Sequence, residues 1–319
     1  MGIMTIDILL STYNGESHIN DQLNSVVAQT WTNWNVVVRD DGSSDTTIGR
    51  INTFANRVPG KFHLIEQRRE NLGACQSFGR LLAFSKSNYV MFCDQDDIWL
   101  PDKVKITFHR MKDLEDRFGK HTPLLVHTDA KVVDHNLNTI APSLWQYQKN
   151  DPERGGTLNR LLLQNVVTGC TMMINKALRD MAMPIPSEAM MHDWWLALVA
   201  AAFGHLSPVS EPTLLYRQHD RNDVGAKQWD VIAAARQLAD LLNPQHMRDQ
   251  KRQSVDRLQK QAESFLHQYY ALLTDKDKAM VAAFSRLSQQ SYLKRRYSMI
   301  KYGFFYTDVF RNVGMFFFR

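Results

Sequence analysis

The stretch YVMFCDQDDIWLPDK, residues 89–103, decides how the chain is read. An apolar run from Tyr89 to Cys93 has the look of a buried strand. It ends in four carboxylates within nine residues: Asp94, Asp96, Asp97 and Asp102. Like charges at a strand end repel, so either they sit harmlessly in water or a cation is held among them. Asp94-Gln95-Asp96 is an Asp-x-Asp arrangement, whose carboxylates can converge on one hard divalent cation, Mg2+ or Mn2+. Such a cation keeps open positions that diphosphate oxygens can fill, and it offsets charge on a departing nucleoside diphosphate. The alternative is a solvated loop in which Asp97 or Asp102 caps the helix DKVKITFHRM (102–111). For Asp102 capping is the preferred reading, and Asp97 stays open between the two. An EF-hand is excluded because Trp99 stands where its loop needs glycine.

Outward from this point, short apolar runs alternate with amphipathic stretches. IDILLSTYN (6–14) reads as a strand before a helix over about 18–29, and NVVVRDD (35–41) as a strand before SDTTIGRINTFANR (44–57). KFHLIEQ (61–67) and a helix near 74–85 complete the pattern. Such runs predict parallel strands covered on both faces: a doubly wound α/β sheet with ligands at the carboxyl ends of its strands. The polar residues gather at those ends: Ser11 to Asn14, then Asp40 and Asp41, then Asp94 and Asp96. A carboxylate at 40–41 can accept from a pyrimidine ring N–H, or it can simply form an Asx-type turn; the residues alone support either. No Gly-x-Gly-x-x-Gly follows the first strand and no P-loop motif occurs, which counts against dinucleotide and P-loop folds.

The middle of the chain, 124–219, mixes strands (LLVHTDAKVV, GCTMMIN, PTLLYRQ) with helices. From Trp229 the pattern is helical, and Thr274 to Asp277 forms a cap opening a further helix. These shifts divide the chain into a domain over 1–227 and a helical region over 228–319. At 319 residues and 44% hydrophobic the chain can bury a substantial core. No run of about 18 apolar residues suggests a membrane-spanning helix, and the first residues do not resemble a signal peptide. Cys75, Cys93 and Cys170 are widely spaced, arguing against disulfides and zinc and for a reducing cytoplasm.

Taken together, STYNGE (11–16), RDDGSSDTT (39–47), ENLGACQSFGRLL (70–82) and CDQDDIWLPDK (93–103) resemble family-2 glycosyltransferases with the GT-A fold. NVVTGCTMMINK (165–176), MHDWWLALVA (191–200) and LYRQHDRNDVGA (215–226) are similar to the rhamnosyltransferase-like branch of bacterial surface-polysaccharide synthesis. The resemblance spans about residues 5 to 226. It implies that Thr12, Tyr13, Glu16 and Asp41 line the nucleoside pocket, with Asp41 on the pyrimidine. It puts Asn71, Gly73 and Arg80 near the donor, Asp94 and Gln95 at its ribose side, and Asp96 on the metal. His219 is a candidate for metal or diphosphate, with Arg217 and Arg221 as anion partners. Asp193 is the expected general base, unless it is only the N-cap of its helix. Here His192 replaces the family's usual first acid. Trp194 and Trp195 can stack on a sugar, although one of them reads as core, and Gly169 belongs to an acceptor-side turn. The implied reaction is inverting transfer from a nucleotide sugar, best matched by dTDP-L-rhamnose, to a growing O-antigen or capsule-type glycan on a lipid. A UDP-hexose donor is the alternative. A sugar-nucleotide pyrophosphorylase would need a Gly-rich basic loop that STYNGES lacks.

The net charge of +5 is concentrated in the tail. Residues 286–319 hold seven basic residues against one acid, Asp308, interleaved with ten aromatics. That composition suits an anionic membrane surface, in keeping with a protein peripheral to the cytoplasmic face of the bacterial inner membrane. The competing expectation is packing back on the chain or on a second copy in a homodimer. No recognition module supports nucleic acid as a partner.

Overall fold

The computed structural model describes residues 4–65, 70–218, 244–308 and 311–312. They divide into two compact units. The first comprises Met1–Leu144, Val167–Ile185 and Met191–Gly225; the second comprises Trp145–Val166, Pro186–Met190 and Ala226–Arg319. The second unit thus takes in two pieces that the sequence pattern left with the first.

The first unit is built on a nine-stranded sheet. Its elements run β1 (Ile6–Thr12), α1 (Ile19–Val27), β2 (Trp34–Asp40), α2 (Thr47–Ala55), β3 (Phe62–Leu64), α3 (Gly73–Phe84), β4 (Tyr89–Cys93), β5 (Ile98–Trp99) and α4 (Lys103–Phe118). They continue through β6 (Leu124–Val133), β7 (Thr139–Ala141), β8 (Met172–Asn175), α8 (Lys176–Ala182), α9 (His192–Phe203) and β9 (His205–Arg217); the short helices α5 (Leu144–Tyr147), α6 (Pro152–Gly155) and α7 (Leu158–Leu161), between β7 and β8 in the chain, belong to the second unit apart from Leu144. The strand order is β3-β2-β1-β4-β8-β6-β9-β5, with β7 on β6. β1 to β4 are mutually parallel, as their apolar runs predict. Every residue of β4 and the first five of β1 are buried, because helices cover both faces. From β1 the chain winds outward to β3, then returns to lay β4 on the other side of β1. The crevice at the carboxyl ends of β1 and β4 is therefore a switch point, where such sheets bind ligands.

β8 supplies the antiparallel part of this mixed, mostly parallel sheet, pairing antiparallel with both β4 and β6. Its register, Met91 opposite Met173 and Tyr89 opposite Asn175, brings the start of β8 to the carboxyl end of β4. The 3-10 turn Gly169–Thr171 thereby reaches the acidic loop. β9 delivers its last residue there by the same logic. β5 runs antiparallel to β9 with Ile98 opposite Leu215, so the chain just before β5 meets Arg217.

The second unit contains α10 (Pro244–Tyr269), α11 (Asp275–Ser285) and α12 (Tyr292–Tyr302). The Thr274 side chain caps α11, accepting from the Asp277 amide at 3.1 Å as the sequence implies. Phe265, Val281, Phe284 and Phe304 are buried in this unit. Among the described residues no helix is long and apolar enough to cross a membrane.

Candidate active site

Three strand ends build the crevice. At the end of β2, alternation sends Asp40 and Asp41 to opposite faces. Asp40 closes an Asx turn: Oδ2 accepts from the Gly42 and Ser43 amides at 3.1 and 2.7 Å, and Oδ1 from Thr12 Oγ1 at 2.9 Å. Asp41 shares its face with Arg39 and forms a buried ion pair with it. Its Oδ1 also accepts from the Leu72 amide and its Oδ2 from the Gly73 amide, both at 2.8 Å. Oδ2 thus retains acceptor capacity for one further N–H. Arg39 is held in turn by Ser77 Oγ at 3.0 Å and the Glu70 carbonyl at 3.1 Å. Asn71 accepts from the Gly73 amide through Oδ1 at 3.2 Å, Gly73 takes φ +74°, and Arg80 is exposed on α3.

The loops after β1 and β4 are tied together as two peptides would be. Tyr13 N donates to Gln95 Oε1 at 2.9 Å, and Gln95 Nε2 donates to the Tyr13 carbonyl at 3.0 Å. A Cβ at position 15 would lie 2.2 Å from Gln95 Oε1, so any residue but glycine there must displace the Gln95 side chain. Glu16 fastens the same loop to α2, accepting from Thr46 N at 3.1 Å and Thr46 Oγ1 at 2.6 Å. Those bonds hold its carboxyl below the usual range.

The acidic loop separates into distinct groups. Asp102 occupies the N-cap position of α4 without a capping bond; its carboxylate instead accepts from Thr30 Oγ1 at 2.7 Å. Asp97 is buried, with Oδ1 accepting from the Arg217 amide at 3.2 Å while no N–H or O–H donor reaches Oδ2. Ligand atoms of Asp94, Asp97 and Cys170 lie within 4.8 Å of one another. Burial, then the carboxylates of Asp97, Asp96 and Asp193, hold the Asp94 carboxyl well above its ordinary range. Burial and then Asp96 push Asp97 up to about 7. Desolvated like charges with an unfilled oxygen are a donor set that suits a hard divalent cation.

Two cations frame this loop that the sequence did not single out for the purpose. Lys103 is fully buried, its Nζ 4.9 Å from the Trp99 ring centre, and burial pulls its pKa down to about 8. Arg217 is buried and donates to the Asp96 carbonyl at 3.0 Å, the His135 carbonyl at 3.3 Å and Asp21 Oδ2 at 3.0 Å. Its guanidinium thus ties the loop to β9 and already pairs with one anion, the Asp21 carboxylate. His219 and Arg221 lie outside the described residues.

α9 brings the expected base. Its N-cap is Met191 rather than Asp193, which sits in the first turn, buried, with Oδ1 accepting from the Trp194 amide. Its charge is felt by Asp94 and by Cys75, whose thiol burial and Asp193 push up to about 12. Gly169 makes this approach possible. A Cβ there would stand 2.9 Å from His192 Nε2 and 3.5 Å from Asp193 Oδ2. His192 itself is core, packed against Phe78 and Phe92 with ring centres 4.1 and 5.1 Å away. Burial pulls its pKa down to about 3. Trp195 is likewise core, wholly buried with Nε1 donating to the Ala182 carbonyl at 3.1 Å, so only Trp194 remains half-exposed.

A mixed sheet with acids at its switch point and an acid at a helix start defines a GT-A-type sugar-nucleotide transferase. The Glycosyl transferase family 2 profile matches residues 7–180, and the chain belongs to that family. It is 29% identical to a dTDP-rhamnosyl transferase, RfbG, of Shigella flexneri over 230 residues, 68% of this chain and 74% of that protein. It is 25% identical to an Escherichia coli UDP-Glc:alpha-D-GlcNAc-diphosphoundecaprenol beta-1,3-glucosyltransferase, WfgD, over 54% of this chain and 61% of that one. The fold matches Staphylococcus aureus TarS residues 1–349 in complex with UDP-GlcNAc, with a TM-score of 0.58 at 16% identity, covering 94% of this chain and 79% of that one.

Proposed function

We propose that this glycosyltransferase is inverting and metal-dependent and moves L-rhamnose from dTDP-L-rhamnose to a growing, lipid-linked glycan of the O-antigen or capsule type. The observation that carries the mechanism is the approach of Asp193 to the Gly169 turn, whose next residue, Cys170, clusters with Asp94 and Asp97 at the strand ends. The similarity to a rhamnosyl transferase supports the donor. Asp41 Oδ2 is the acceptor for the pyrimidine ring N–H, and Thr12, Tyr13 and Glu16 shape the nucleoside side. Asp94, Asp96 and Asp97 would hold Mg2+ or Mn2+, which when bound offsets the charge of the leaving diphosphate. Asp193 takes the proton of the acceptor hydroxyl as its oxygen bonds to the anomeric carbon from the face opposite the diphosphate. The carbon–oxygen bond to the diphosphate breaks with its electron pair leaving on the nucleotide. The acceptor places the enzyme at the inner face of the inner membrane.

The purified chain with a panel of nucleotide sugars, with and without Mg2+ or Mn2+, tests this. dTDP-L-rhamnose should be consumed fastest, and only with metal. Asp193→Asn should cost about 10²–10⁴ in kcat with nucleotide affinity kept. Full-rate turnover by Asp96→Ala would refute the metal, and preference for UDP-glucose would move the donor to the second reading, favoured by the glucosyltransferase relative.

A further inference from the structure

The basic tail divides into a packed side and an open side. On the packed side Met299, Ser298 and Phe304 are buried, with the Phe304 ring 5.0 Å from Phe284. Asn159 Nδ2 donates to the carbonyls of Tyr302 and Gly303 at 3.1 and 2.9 Å, and Arg160 donates to the carbonyl of Tyr306 at 3.1 Å. These bonds decide part of the earlier choice: residues 286–308 are a component of the second unit. α12 nevertheless turns a different face outward. Leu293 is 78% exposed, and Tyr297 and Ile300 are each 64% exposed. They stand at i, i+4 and i+7, one continuous row along a helix. Among the described residues nothing covers it. The helix, YLKRRYSMIKY, carries Lys294, Arg295, Arg296 and Lys301 and no acid. Lys294 and Lys301 are exposed, and Lys301 Nζ lies 5.7 Å from the Tyr297 ring centre, placing a cation at the margin of the apolar row.

We propose that the Leu293–Tyr297–Ile300 row of α12 inserts into the headgroup boundary of an anionic bilayer, with Lys294 and Lys301 on lipid phosphates. This deepens the reading of a lipid-linked acceptor and rests on it. An acidic protein could use the charges but would not require so exposed an apolar row. A neutral surface could use the row but would leave the exposed Lys294 and Lys301 unused. An apolar stripe with basic margins and no acid fits a lipid interface on both counts.

The test uses the full chain and sedimentation with vesicles of phosphatidylglycerol and phosphatidylcholine, against vesicles of phosphatidylcholine alone. The native chain should sediment with the first and stay in solution with the second. Leu293→Glu/Ile300→Glu should lower partition at least tenfold. Lys294→Gln/Lys301→Gln should lower it by about 25-fold at low salt, at about fivefold per lost cation. Because all four side chains are exposed, melting temperatures and transfer to a water-soluble acceptor should match the native chain. Native-level sedimentation of the Glu variant overturns the proposal, as does a native chain that fails to bind anionic vesicles. So does a native dimer that the Glu variant converts to monomer without altering vesicle binding. If no nucleotide sugar is consumed while vesicle binding behaves as stated, the enzymatic reading fails and the lipid surface stands.

Discussion

Replacing Gly15 by alanine places a methyl carbon 2.2 Å from Gln95 Oε1 and 2.5 Å from its Cδ. One of the two must move. The Gln95 side chain is the mobile partner, and moving it breaks both bonds to the Tyr13 peptide. At about 0.5–1.5 kcal/mol for each net hydrogen bond, the loss is about 1–3 kcal/mol. The backbone at Gly15 is outside the positive-φ region, so alanine itself is unstrained. Its narrower unfolded ensemble returns about 0.4–1 kcal/mol. The sign therefore depends on position 95. Gly15→Ala should destabilise the native chain, whereas in a Gln95→Ala background, where the obstructing amide is gone, it should be neutral or stabilising by about 0.4–1 kcal/mol. Urea denaturation of the four proteins gives the coupling, expected at about 1–3 kcal/mol. Calorimetry of nucleoside diphosphate binding should show weaker affinity wherever the Tyr13–Gln95 tie is lost. Equal penalties for Gly15→Ala in both backgrounds would refute the steric account and the tie between the two loops.

Three further outcomes follow from buried groups. Arg39→Met leaves the Asp41 carboxylate buried without its cation and should cost about 3–5 kcal/mol in urea denaturation; a loss below about 1 kcal/mol would show the pair is not structural. His192, with its pKa pulled down to about 3 by burial, stays neutral in the folded chain, while the unfolded chain protonates it near 6.5. The unfolded state binds more protons between those values, so stability should fall as pH drops below about 6.5, by up to about 1.4 kcal/mol per pH unit from this group. His192→Leu should reduce the slope of that limb between pH 4 and 7, leaving the share of His127, whose pKa burial also pulls down to about 3, and parallel curves for the two proteins would count against it. All three thiols are held above their ordinary pKa: Cys75 at about 12 by burial and Asp193, and Cys93 and Cys170 by burial and nearby carboxylates. Ellman titration at pH 8 should find no fast native thiol and three after denaturation. One rapid native reaction would contradict the burial.

What the sequence made legible was local. β1, β2 and β4 announce themselves because each is an apolar run buried on both faces, and the acids at their ends follow directly. The direction of β8 was not legible, since a run such as MMIN fits either orientation. β9 extends back through HLSPVSE, where Pro208 argues against a strand; its pairing with β6 shifts register near Asp129, opposite Pro212. Arg39 could have been found, because i and i+2 share a face of a strand and Asp41 is the residue two on. Lys103 and Arg217 could not. Arg217 meets the acidic loop 120 positions away in the chain, and no neighbouring residue signals that its charge is already committed. That one tryptophan of the pair is core was legible, but which one, and that His192 is buried beside it, was not, because a first helical turn offers both faces and packing alone decides which face is buried.

The second unit is assembled from separated pieces, and this bears on how the protein is made. Asn159 bonds to Gly303, 144 residues later, so the 145–166 segment leaves the ribosome long before its partners exist. Until synthesis ends, Leu158, Leu161 and Val166, all buried in the finished protein, have no final surface to cover them. Closing so long a loop adds little to the equilibrium cost, because that cost grows only with the logarithm of length; it mainly delays the event. A chain cut short before α12 would thus lose more than its tail. It would leave an apolar segment within the earlier half permanently waiting, and such a fragment should be retained by chaperones rather than released as a shorter enzyme.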